Sequence, residues 1–265
     1  MNAFKRLHDP VHPLLLPNAW DCASARIFEE CGFKAIGTTS AAVAWAMGYP
    51  DGEALERSEM IAAIARIAEC VSLPVTADIE SGYGTAIEDL IETLELVRDA
   101  GAVGCNIEDY SKSEDRLYTP AEAAERICRV KQTFTDDIFI NARTDIFLKE
   151  IGAPEDRLPL TIERIKAYVE AGADSVFVPG VYDAERIRAL ASSVRAPLNI
   201  LVRAATPPLD ELQRLGVARV STGSAIALRV FGEARSVAAQ MLQTGEFSFA
   251  RHPNTMSYEE ANALF

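Results

Sequence analysis

The sequence predicts an α/β protein: a single (β/α)₈ barrel domain of the TIM type that spans residues 1–265, with residues 246–265 as a C-terminal helical extension. Three observations favour this fold. A helix-like segment that ends in glycine is followed at once by a short apolar run, and this pattern occurs four times. Four further apolar runs bring the number of predicted strands to eight. The length of 265 residues is typical of such a barrel.

The predicted strands alternate with helices along the whole chain. They are residues 14–20, 34–40, 74–80, 103–109, 138–147, 174–180, 197–203 and 217–224. The runs are short and mostly apolar, as expected for parallel strands with both faces buried. Such alternation produces right-handed βαβ units, and eight of them favour a closed barrel over an open, doubly wound sheet. The first strand is also not followed by the GxGxxG motif of dinucleotide-binding sheets.

Signals for helix starts lie between the strands. Residues 85–99 repeat apolar side chains at helical spacing, and Thr85 and Glu88 have the spacing of a capping box. The stretch TPAE at residues 119–122 has the same spacing, and its proline suits the first position of a helix. The final residues, SYEEANALF, predict a short extra helix that packs on the barrel or on a neighbouring subunit.

Composition excludes several classes of function. The net charge of −13 repels nucleic acid and anionic membrane surfaces, so we expect neither as a partner. The N-terminus has no signal-peptide pattern, and the chain has no run of 18 apolar residues that could cross a membrane. Five scattered cysteines without CxxC spacing indicate reduced thiols in the cytoplasm. The three histidines lie near the termini, which argues against a His-rich zinc site.

Two carboxylates end the third predicted strand, in the stretch PVTADIESGYG. Asp78 and Glu80 are two residues apart, so both point to the same face at the end where barrel enzymes assemble their sites. An isolated pair of this kind is more often solvated or caps a loop. Neighbouring strand ends, however, add further polar residues. These are Asp51, Asn106, Glu108, Asp109, Asn141, Arg143 and Asp145.

Carboxylates that lie a few ångströms apart do not all stay ionised unless a cation is present. Oxygen ligands without histidine or cysteine favour Mg²⁺, with Mn²⁺ as the alternative. Mg²⁺ takes only one or two carboxylates directly, so the other acids would hold its waters. Arg143 then either binds a substrate carboxylate or developing oxyanion, or pairs with a neighbouring acid.

Motifs on the third to fifth strands also point to a family. TADIESGYG, NIED and NARTD occur in this order, and GTTSAA, YPDGE, PLNIL and GVARVSTGSA extend the likeness over nearly the whole chain. The sequence resembles the isocitrate lyase/phosphoenolpyruvate mutase superfamily. The resemblance implies a barrel whose eighth helix is exchanged between subunits, in a homo-oligomer built as a dimer of dimers. It also implies Mg²⁺, a 2-oxo acid substrate, and a reaction at a C–C or C–P bond next to the carbonyl.

The resemblance assigns metal ligands and catalytic residues. Asp78 would anchor the metal, directly or through water, while Glu80 and Glu108 would complete its shell. Asp51 would lie near the metal-bound waters. Arg143, Glu108 and Asp51 would together form the catalytic group.

It assigns substrate-binding residues as well. Ser40 and Ala41 would bind the substrate carboxylate through backbone N–H groups and the Ser40 hydroxyl. Arg143 would hold the oxyanion or the distal group, and Asn199 would reach the far end of the substrate.

The segment after the fourth strand departs from the family pattern. Family lyases carry a loop close to KKCGH there, whereas this chain reads YSKSEDRLYTPAEAAERI, with neither cysteine nor histidine. Cys105 lies inside a strand and Cys128 in a helix, so both are poor substitutes. The mutase and hydrolase pattern requires a lysine and an asparagine, and only Lys112 is present. The chain therefore fits a mutase-like branch that lacks the lyase cysteine loop.

The sequence therefore predicts a Mg²⁺-dependent lyase for small 2-oxo or 2-hydroxy carboxylates, in a reaction that does not need the missing cysteine loop. Decarboxylation needs only a stabilised enolate, and retro-aldol cleavage is possible if Tyr83 or Lys112 moves the proton. Two alternatives are C–P chemistry of the mutase or phosphonopyruvate hydrolase type, and a non-catalytic 2-oxo acid binding protein. The STGSA stretch after the last strand is either a phosphate cradle or a simple helix cap.

Overall fold

The structure, a computed structural model, describes residues 3–135 and 137–265. Its strands are short, as the apolar runs predict. They are β1 (Leu14–Leu16), β2 (Asn18–Ala19), β3 (Ile36–Thr38), β4 (Val75–Asp78), β5 (Gly104–Glu108), β6 (Tyr110–Ser111), β7 (Arg116–Leu117), β8 (Phe139–Arg143), β9 (Ser175–Phe177), β10 (Leu198–Leu201) and β11 (Val217–Ser221).

The predicted barrel is confirmed. Nine strands form one parallel sheet in the order β1-β11-β10-β9-β8-β5-β4-β3-β2, while β6 and β7 form a separate antiparallel hairpin. The predicted first strand is divided at Pro17: β1 pairs with β11 and β2 pairs with β3. One stretch of chain therefore joins both edges of the sheet and closes the eight-stranded barrel. All eight observed strand positions lie within the predicted runs, which extend a few residues into the loops.

Helices follow the strands around the outside. They are α1 (Cys22–Glu30), α2 (Ser40–Ala46), α3 (Arg57–Cys70), α4 (Ile87–Asp99), α5 (Pro120–Phe134), α6 (Arg157–Glu170), α7 (Ala184–Ser193), α8 (Leu209–Arg214), α9 (Ala225–Thr244) and α10 (Tyr258–Ala263). Two short 3₁₀ turns, Lys5–Leu7 and Ser248–Arg251, complete the structure. Within residues 3–135 and 137–265, no helix combines the length and apolar character needed to cross a bilayer.

The capping box predicted at the start of α5 is confirmed. The Glu122 amide donates to Thr119 Oγ1 at 3.2 Å, and the Thr119 amide donates to Glu122 Oε2 at 2.6 Å. Two of the otherwise unpaired N–H groups of this helix end are thereby satisfied.

The capping box predicted from Thr85 and Glu88 is wrong by one position. Helix α4 begins at Ile87, and the Ala86 amide donates to Asp89 Oδ2 at 3.2 Å. The Thr85 carbonyl accepts a hydrogen bond of 2.9 Å from a buried arginine of α5, so this residue is held in the preceding loop. That long-range bond cannot be inferred from local spacing.

The two ends of the barrel differ: side chains fill the N-terminal end, and the C-terminal end is open. At the N-terminal end, Phe139 of β8 packs edge-on against Phe4, with ring centres 5.2 Å apart, and stacks on His8 at 4.3 Å. We call Phe4, His8 and Phe139 the floor of the barrel. All three are buried, and Leu14 and Leu16 pack beside them. The C-terminal end stays open and holds the predicted site.

The C-terminal part of the chain lies on the outside. Helix α9 has 20 residues, and its apolar side chains Leu228 and Val230 are about half exposed. The predicted helix in the tail is present as α10, and the carbonyl of Leu264 accepts a hydrogen bond from Arg26 of α1. The tail therefore packs on the barrel in this chain. Exchange of a helix between subunits and a boundary at residue 246 stay predictions.

Candidate active site

A polar cavity of about 330 Å³ opens at the C-terminal ends of the barrel strands. Most residues predicted for the site line it together. They are Ser40, Ala41, Asp51, Asp78, Glu80, Glu108 and Arg143. These residues come from the ends of different strands, and closure of the barrel brings them to one rim. The cavity is small, which suits a ligand of a few carbon atoms.

Asp78 lies at the end of β4, where its carboxylate is held by three donors. Its Oδ2 accepts hydrogen bonds from the Ser40 amide at 3.1 Å and from the Ser40 hydroxyl at 2.9 Å. Its Oδ1 lies 3.4 Å from Asn106 Nδ2. Ser40 begins α2, so its amide is one of the N–H groups that a helix start leaves free for an anion. The Ser40 amide and hydroxyl, which were predicted to bind a substrate carboxylate, thus bind Asp78 here.

Glu80 is buried in a left-handed turn just beyond β4, with φ of 53°. Its Oε1 accepts a hydrogen bond of 2.9 Å from the amide of Glu53. Burial raises the pKa of Glu80 to about 8, and the nearby charges of Asp51 and Asp78 act in the same direction. Burial, followed by repulsion from Asp78, likewise raises the pKa of Asp51.

Glu53 is a functional candidate that the sequence reasoning missed. Its Oε1 accepts hydrogen bonds from the Ser81 amide at 3.1 Å, the Ser81 hydroxyl at 2.7 Å and the Tyr83 amide at 3.1 Å. Because Glu80 in turn binds the Glu53 amide, the two turns hold each other in place. A glutamate in a glycine-containing loop at residues 51–53 was the available signal, but nothing in the sequence reveals its partners.

Arg143 ends β8 and is clamped between two acids. It forms an ion pair with Glu108 and a two-point ion pair with Asp145, with distances of 2.6 and 3.1 Å. Burial opposes its charge, but Asp145 and Glu108 together raise the pKa of Arg143 above its usual range. Burial also raises the pKa of Glu108 strongly, although Arg143 opposes this shift. The guanidinium is therefore rigid and permanently charged.

Asp109 does not face the cavity. It is buried behind the barrel wall, where its Oδ2 accepts a hydrogen bond of 2.6 Å from Tyr168 and pairs with Arg164 at 3.0 Å. Its Oδ1 accepts the amide of Asp145 at 2.9 Å. Asp109 thus positions Asp145, which pairs with Arg143, and does not itself face the cavity.

A buried polar chain runs beneath the cavity. Ser175 donates to Asn141 Oδ1 at 2.6 Å, and Asn141 donates to Asn106 Oδ1 at 2.8 Å. Asn106 in turn reaches Asp78. Asn141 is completely buried, so it supports the acids from below instead of lining the cavity.

Two further polar residues lie in this interior. Asn199 is fully buried, accepts a hydrogen bond of 3.1 Å from Ser221 and is not part of the cavity lining, so its substrate role stays a prediction. Arg219 was missed: it is completely buried, and its Nη2 lies 3.4 Å from Asn106 Oδ1. Burial lowers its pKa to about 9, against the opposing charge of Asp78. Its position inside the apolar run VARVS was the sequence feature that could have indicated a buried arginine in a strand.

The segment that replaces the family's cysteine loop is the β6–β7 hairpin. Tyr110 and Lys112 from this hairpin line the cavity, and the Lys112 side chain packs over Gly52. Cys105 is buried inside β5 and Cys128 lies on α5, and neither lines the cavity. No described cysteine therefore replaces the missing one at the cavity wall.

The acids fit a Mg²⁺ ion that keeps most of its water. In the described part of the chain, no three carboxylate, histidine or cysteine side chains are grouped closely enough to hold one ion directly. Each of these acids already accepts a donor, Glu80 from the Glu53 amide, Glu108 from Arg143 and Asp78 from Ser40 and Asn106, so an ion would share them or reach them through water. Mg²⁺ commonly has one or two carboxylate ligands and several waters. A cation would also relieve the repulsion that raises the carboxyl pKa values here.

Comparison with known proteins finds lyases and mutases. The family model for phosphoenolpyruvate phosphomutase matches residues 4–242. An oxaloacetate decarboxylase of Pseudomonas paraeruginosa is 32% identical over 233 residues, which cover 84% of this chain and 78% of the relative. A 2-methylisocitrate lyase of Escherichia coli is 30% identical over 229 residues, which cover 82% of this chain and 75% of the relative.

Solved structures share the barrel. A Burkholderia cenocepacia protein, provisionally described as a phosphonomutase, superposes with a TM-score of 0.85 at 42% identity, over 89% of this chain and 98% of that one. A phosphonopyruvate hydrolase solved with oxalate and Mg²⁺ superposes with a TM-score of 0.86, over 99% of this chain and 93% of that one. The latter shares only 23% identity, so it supports the fold alone.

Proposed function

Because the chain belongs to the phosphoenolpyruvate phosphomutase family, within the PEP mutase/isocitrate lyase superfamily, we propose that it is a Mg²⁺-dependent lyase for small 2-oxo or 2-hydroxy carboxylates. The observation that carries this proposal is that Asp78 at the end of β4 and Arg143 at the end of β8 line one small cavity. An acid cluster suited to a cation and a fixed guanidinium can together hold a substrate with a carboxylate and a neighbouring carbonyl oxygen.

The chemistry follows from charge. Breaking a bond next to a carbonyl leaves negative charge on the carbonyl oxygen, and fixed positive groups lower this barrier. Bound Mg²⁺ would supply Lewis-acid stabilisation of that oxygen. Arg143 would donate to the same charge, and its two carboxylate partners keep it oriented before the substrate arrives. Asp78 would anchor the ion, with Asp51, Glu80 and Glu108 bound to its waters.

Cleavage of a C–C bond is favoured over C–P chemistry. The mutase and hydrolase pattern requires a lysine and an asparagine after the fourth strand, and only Lys112 is present, whereas decarboxylation of a β-keto acid needs neither that asparagine nor a cysteine as acid or base. The decarboxylase and 2-methylisocitrate lyase relatives also act on C–C bonds. A mutase or phosphonopyruvate hydrolase activity is the second candidate, supported by the provisional description of the Burkholderia structure. A binding protein without turnover is the third.

The direct test combines binding and turnover. We expect oxalate, a mimic of the enolate, to bind in calorimetry only when Mg²⁺ or Mn²⁺ is present, and Asp78→Asn to abolish this binding. The matched control is Asp183→Asn, an exposed helix cap far from the cavity. Turnover is then screened with oxaloacetate, isocitrate, 2-methylisocitrate and phosphonopyruvate.

The outcomes separate the candidates. Release of CO₂ or C–C cleavage supports the lyase, whereas phosphate release or phosphoenolpyruvate formation supports the second candidate. Oxalate binding without turnover of any substrate supports the binding protein. Oxalate binding that is indifferent to both the metal and Asp78→Asn contradicts the whole proposal.

We also propose a cytoplasmic homo-oligomer, built as a dimer of dimers through α9. The exposed apolar side chains of this helix, which include Leu228 and Val230, support an interface there. Light scattering should give the mass of a tetramer, and Leu228→Glu should lower it. A monomer at micromolar concentration would contradict this assembly.

A further inference from the structure

A second group of polar side chains lies inside the barrel, between the floor and the candidate active site. Ser221 of β11 lines the cavity, and Arg219 precedes it by two residues, so the Arg219 side chain also points into the barrel. Asn199 of β10 is paired with Arg219 in register and points the same way. Arg219 crosses the interior, because its Nη2 lies 3.4 Å from Asn106 Oδ1 on β5, a strand of the opposite wall. Asn199 and Arg219 are completely buried and do not line the cavity above them.

Polar atoms without a hydrogen-bond partner are concentrated in this interior. Within residues 3–135 and 137–265, ten buried side-chain nitrogen and oxygen atoms lack a partner in the protein, and half of them lie here. They are Arg219 Nε, Arg219 Nη1, Asn199 Nδ2, Thr76 Oγ1 and His8 Nε2. Buried polar groups are normally satisfied, so this concentration requires an explanation.

Thr76 and His8 border the interior from below. A Cβ placed on Gly104 would lie 3.4 Å from the Thr76 hydroxyl and 2.9 Å from Phe139 Cβ, so this hydroxyl lies next to the floor. His8 Nδ1 lies 3.1 Å from a backbone carbonyl and donates to it when the ring is neutral, which leaves Nε2 as an acceptor. The charge of Arg219 lowers the pKa of His8, so the two side chains are within electrostatic reach of each other.

Arg219 has no carboxylate partner among the described residues. None of their ion pairs includes it. Asp78 acts on Arg219 only across Asn106, whose Nδ2 lies 3.4 Å from Asp78 Oδ1. Burial lowers the pKa of Arg219 to about 9, so the guanidinium still carries its charge at neutral pH. A buried charge is strongly unfavourable unless it is paired.

The unpartnered atoms favour an anion over a neutral ligand. Arg219 Nε, Arg219 Nη1 and Asn199 Nδ2 can only donate hydrogen bonds, and the Thr76 hydroxyl can donate as well. A water bound to these donors would need acceptors for its own hydrogens, and it would leave the charge of Arg219 uncompensated. A halide ion accepts from several donors at once and compensates the charge.

We propose that Arg219 and Asn199 bind a small monovalent anion of the halide type, such as chloride, inside the barrel. The anion accepts from the unpartnered nitrogens of both residues and serves as the counter-ion of the guanidinium. The close-packed interior leaves room for a small ion only. This site is separate from the proposed function, because it needs neither Mg²⁺ nor a carboxylate.

The first test compares thermal unfolding in two sodium salts, without Mg²⁺ or any carboxylate. Chloride replaces methanesulfonate, a larger monovalent anion, at constant ionic strength. An anion that binds only the folded protein stabilises it by mass action. Each tenfold rise in chloride above its dissociation constant should therefore raise Tm by about 3–5 °C.

Variants locate the chloride effect. Arg219→Met removes the charge and keeps a long side chain, whereas Asn199→Asp places a carboxylate beside Arg219, so that the protein supplies its own counter-charge. Both variants should lose the dependence of Tm on chloride. The matched control is Arg188→Met, at an exposed arginine on α7, and it should keep the full dependence.

Crystals of the wild-type protein grown in sodium bromide show the ion directly, because bromide scatters anomalously. We expect an anomalous peak within hydrogen-bond distance of Arg219 and Asn199. A site that holds only water, without this peak, overturns the proposal, and this result does not depend on whether Arg219→Met folds. An equal response to chloride and methanesulfonate, or a chloride effect that persists in Arg219→Met, also overturns it, because the ions would then act at the protein surface.

Discussion

The two ends of the barrel are built on the same strands but have opposite characters. At the N-terminal end, Phe4, His8 and Phe139 fill the interior with stacked and edge-on rings. At the C-terminal end, the interior is charged, and the loops there include Glu53, Glu80 and Tyr83 with left-handed backbone. Strand β8 contributes to both, since it begins at Phe139 and ends at Arg143. One strand thus supplies stability at one end and chemistry at the other.

Backbone geometry adds to this difference. Non-glycine residues with left-handed φ cost about 1 kcal/mol or more each, and three of them border the acids. The Glu53 amide donates to the Glu80 carboxylate, and the Glu53 carboxylate accepts from Ser81 and Tyr83, so the two turns hold each other in place. The cavity therefore depends on specific polar contacts, whereas the floor depends on buried apolar area. The two ends should respond differently to substitution.

The largest expected effect is on the floor. Phe139→Ala removes a buried ring from contact with Phe4 and His8, so we expect the free energy of unfolding to fall by about 3–5 kcal/mol. Denaturant unfolding measures this change, while the folded variant should keep Mg²⁺-dependent oxalate binding. The control, Phe247→Ala, deletes a ring that is 64% exposed and should change stability by less than about 0.5 kcal/mol. Loss of oxalate binding at full stability would contradict the division between the two ends.

The next effect is at the mouth. Arg143→Lys keeps the positive charge but loses the planar fork that pairs with Asp145, so we expect turnover to fall about 100-fold, or about 2.7 kcal/mol in the barrier. The rate constant on the substrate found in the turnover screen measures this loss. Arg186→Lys, at an ion pair that is half exposed, is the control and should have no effect. A normal rate for Arg143→Lys would show that a point charge is sufficient.

A smaller effect concerns pH and the floor. Burial, aided by the charge of Arg219, lowers the pKa of His8 from 6.5 to about 3, so the folded protein favours the neutral ring. The contribution of neutral His8 to the free energy of unfolding is complete above pH 6.5. It is lost as the pH falls towards 3, because only the unfolded chain then readily takes the proton. Between pH 7 and 5 wild type should lose about 2 kcal/mol of stability relative to His8→Phe.

The matched variant for this comparison is His12→Phe, because the His12 side chain is 84% exposed. Denaturant unfolding of the three proteins at pH 7, 6 and 5 gives the difference curves. His12→Phe should follow wild type at every pH. Parallel curves for wild type and His8→Phe would show that folding does not lower the pKa of His8.

Sequence reasoning succeeded where the pattern is local and periodic. The eight strands, the start of α5 at Thr119 and the tail helix follow from apolar runs and capping residues. The predicted acids and Arg143 line one cavity because parallel strands of a closed barrel end at one rim, while their roles stay predictions. It failed where the partner is distant: a hydrogen bond from α5 moved the start of α4.

The residues missed have the same explanation. Arg219 and Glu53 act through contacts with strands and turns that are far away in sequence, and neither lies in a motif with a known local geometry. Lys149 and Arg203 are a similar case, because they are ordinary loop cations until the barrel brings them to one cavity. Local spacing identifies the strand ends, whereas tertiary closure decides which side chains share a site.

The smallest expected effect returns to the mouth and concerns the turns rather than the acids that face the cavity. Glu53→Gln keeps an oxygen that can accept from Ser81 and Tyr83 but removes its charge, so these hydrogen bonds should weaken. Because the Glu53 amide also binds Glu80, we expect Mg²⁺-dependent oxalate binding to weaken about threefold to tenfold, with about 1 kcal/mol lost in unfolding. Calorimetry and denaturant unfolding measure the two values, and Glu56→Gln at the start of α3 is the control. If Glu53→Gln lowered stability but left oxalate affinity unchanged, the turns would serve the fold alone. The functional difference between the two ends would then depend only on the acids that face the cavity and on Arg143.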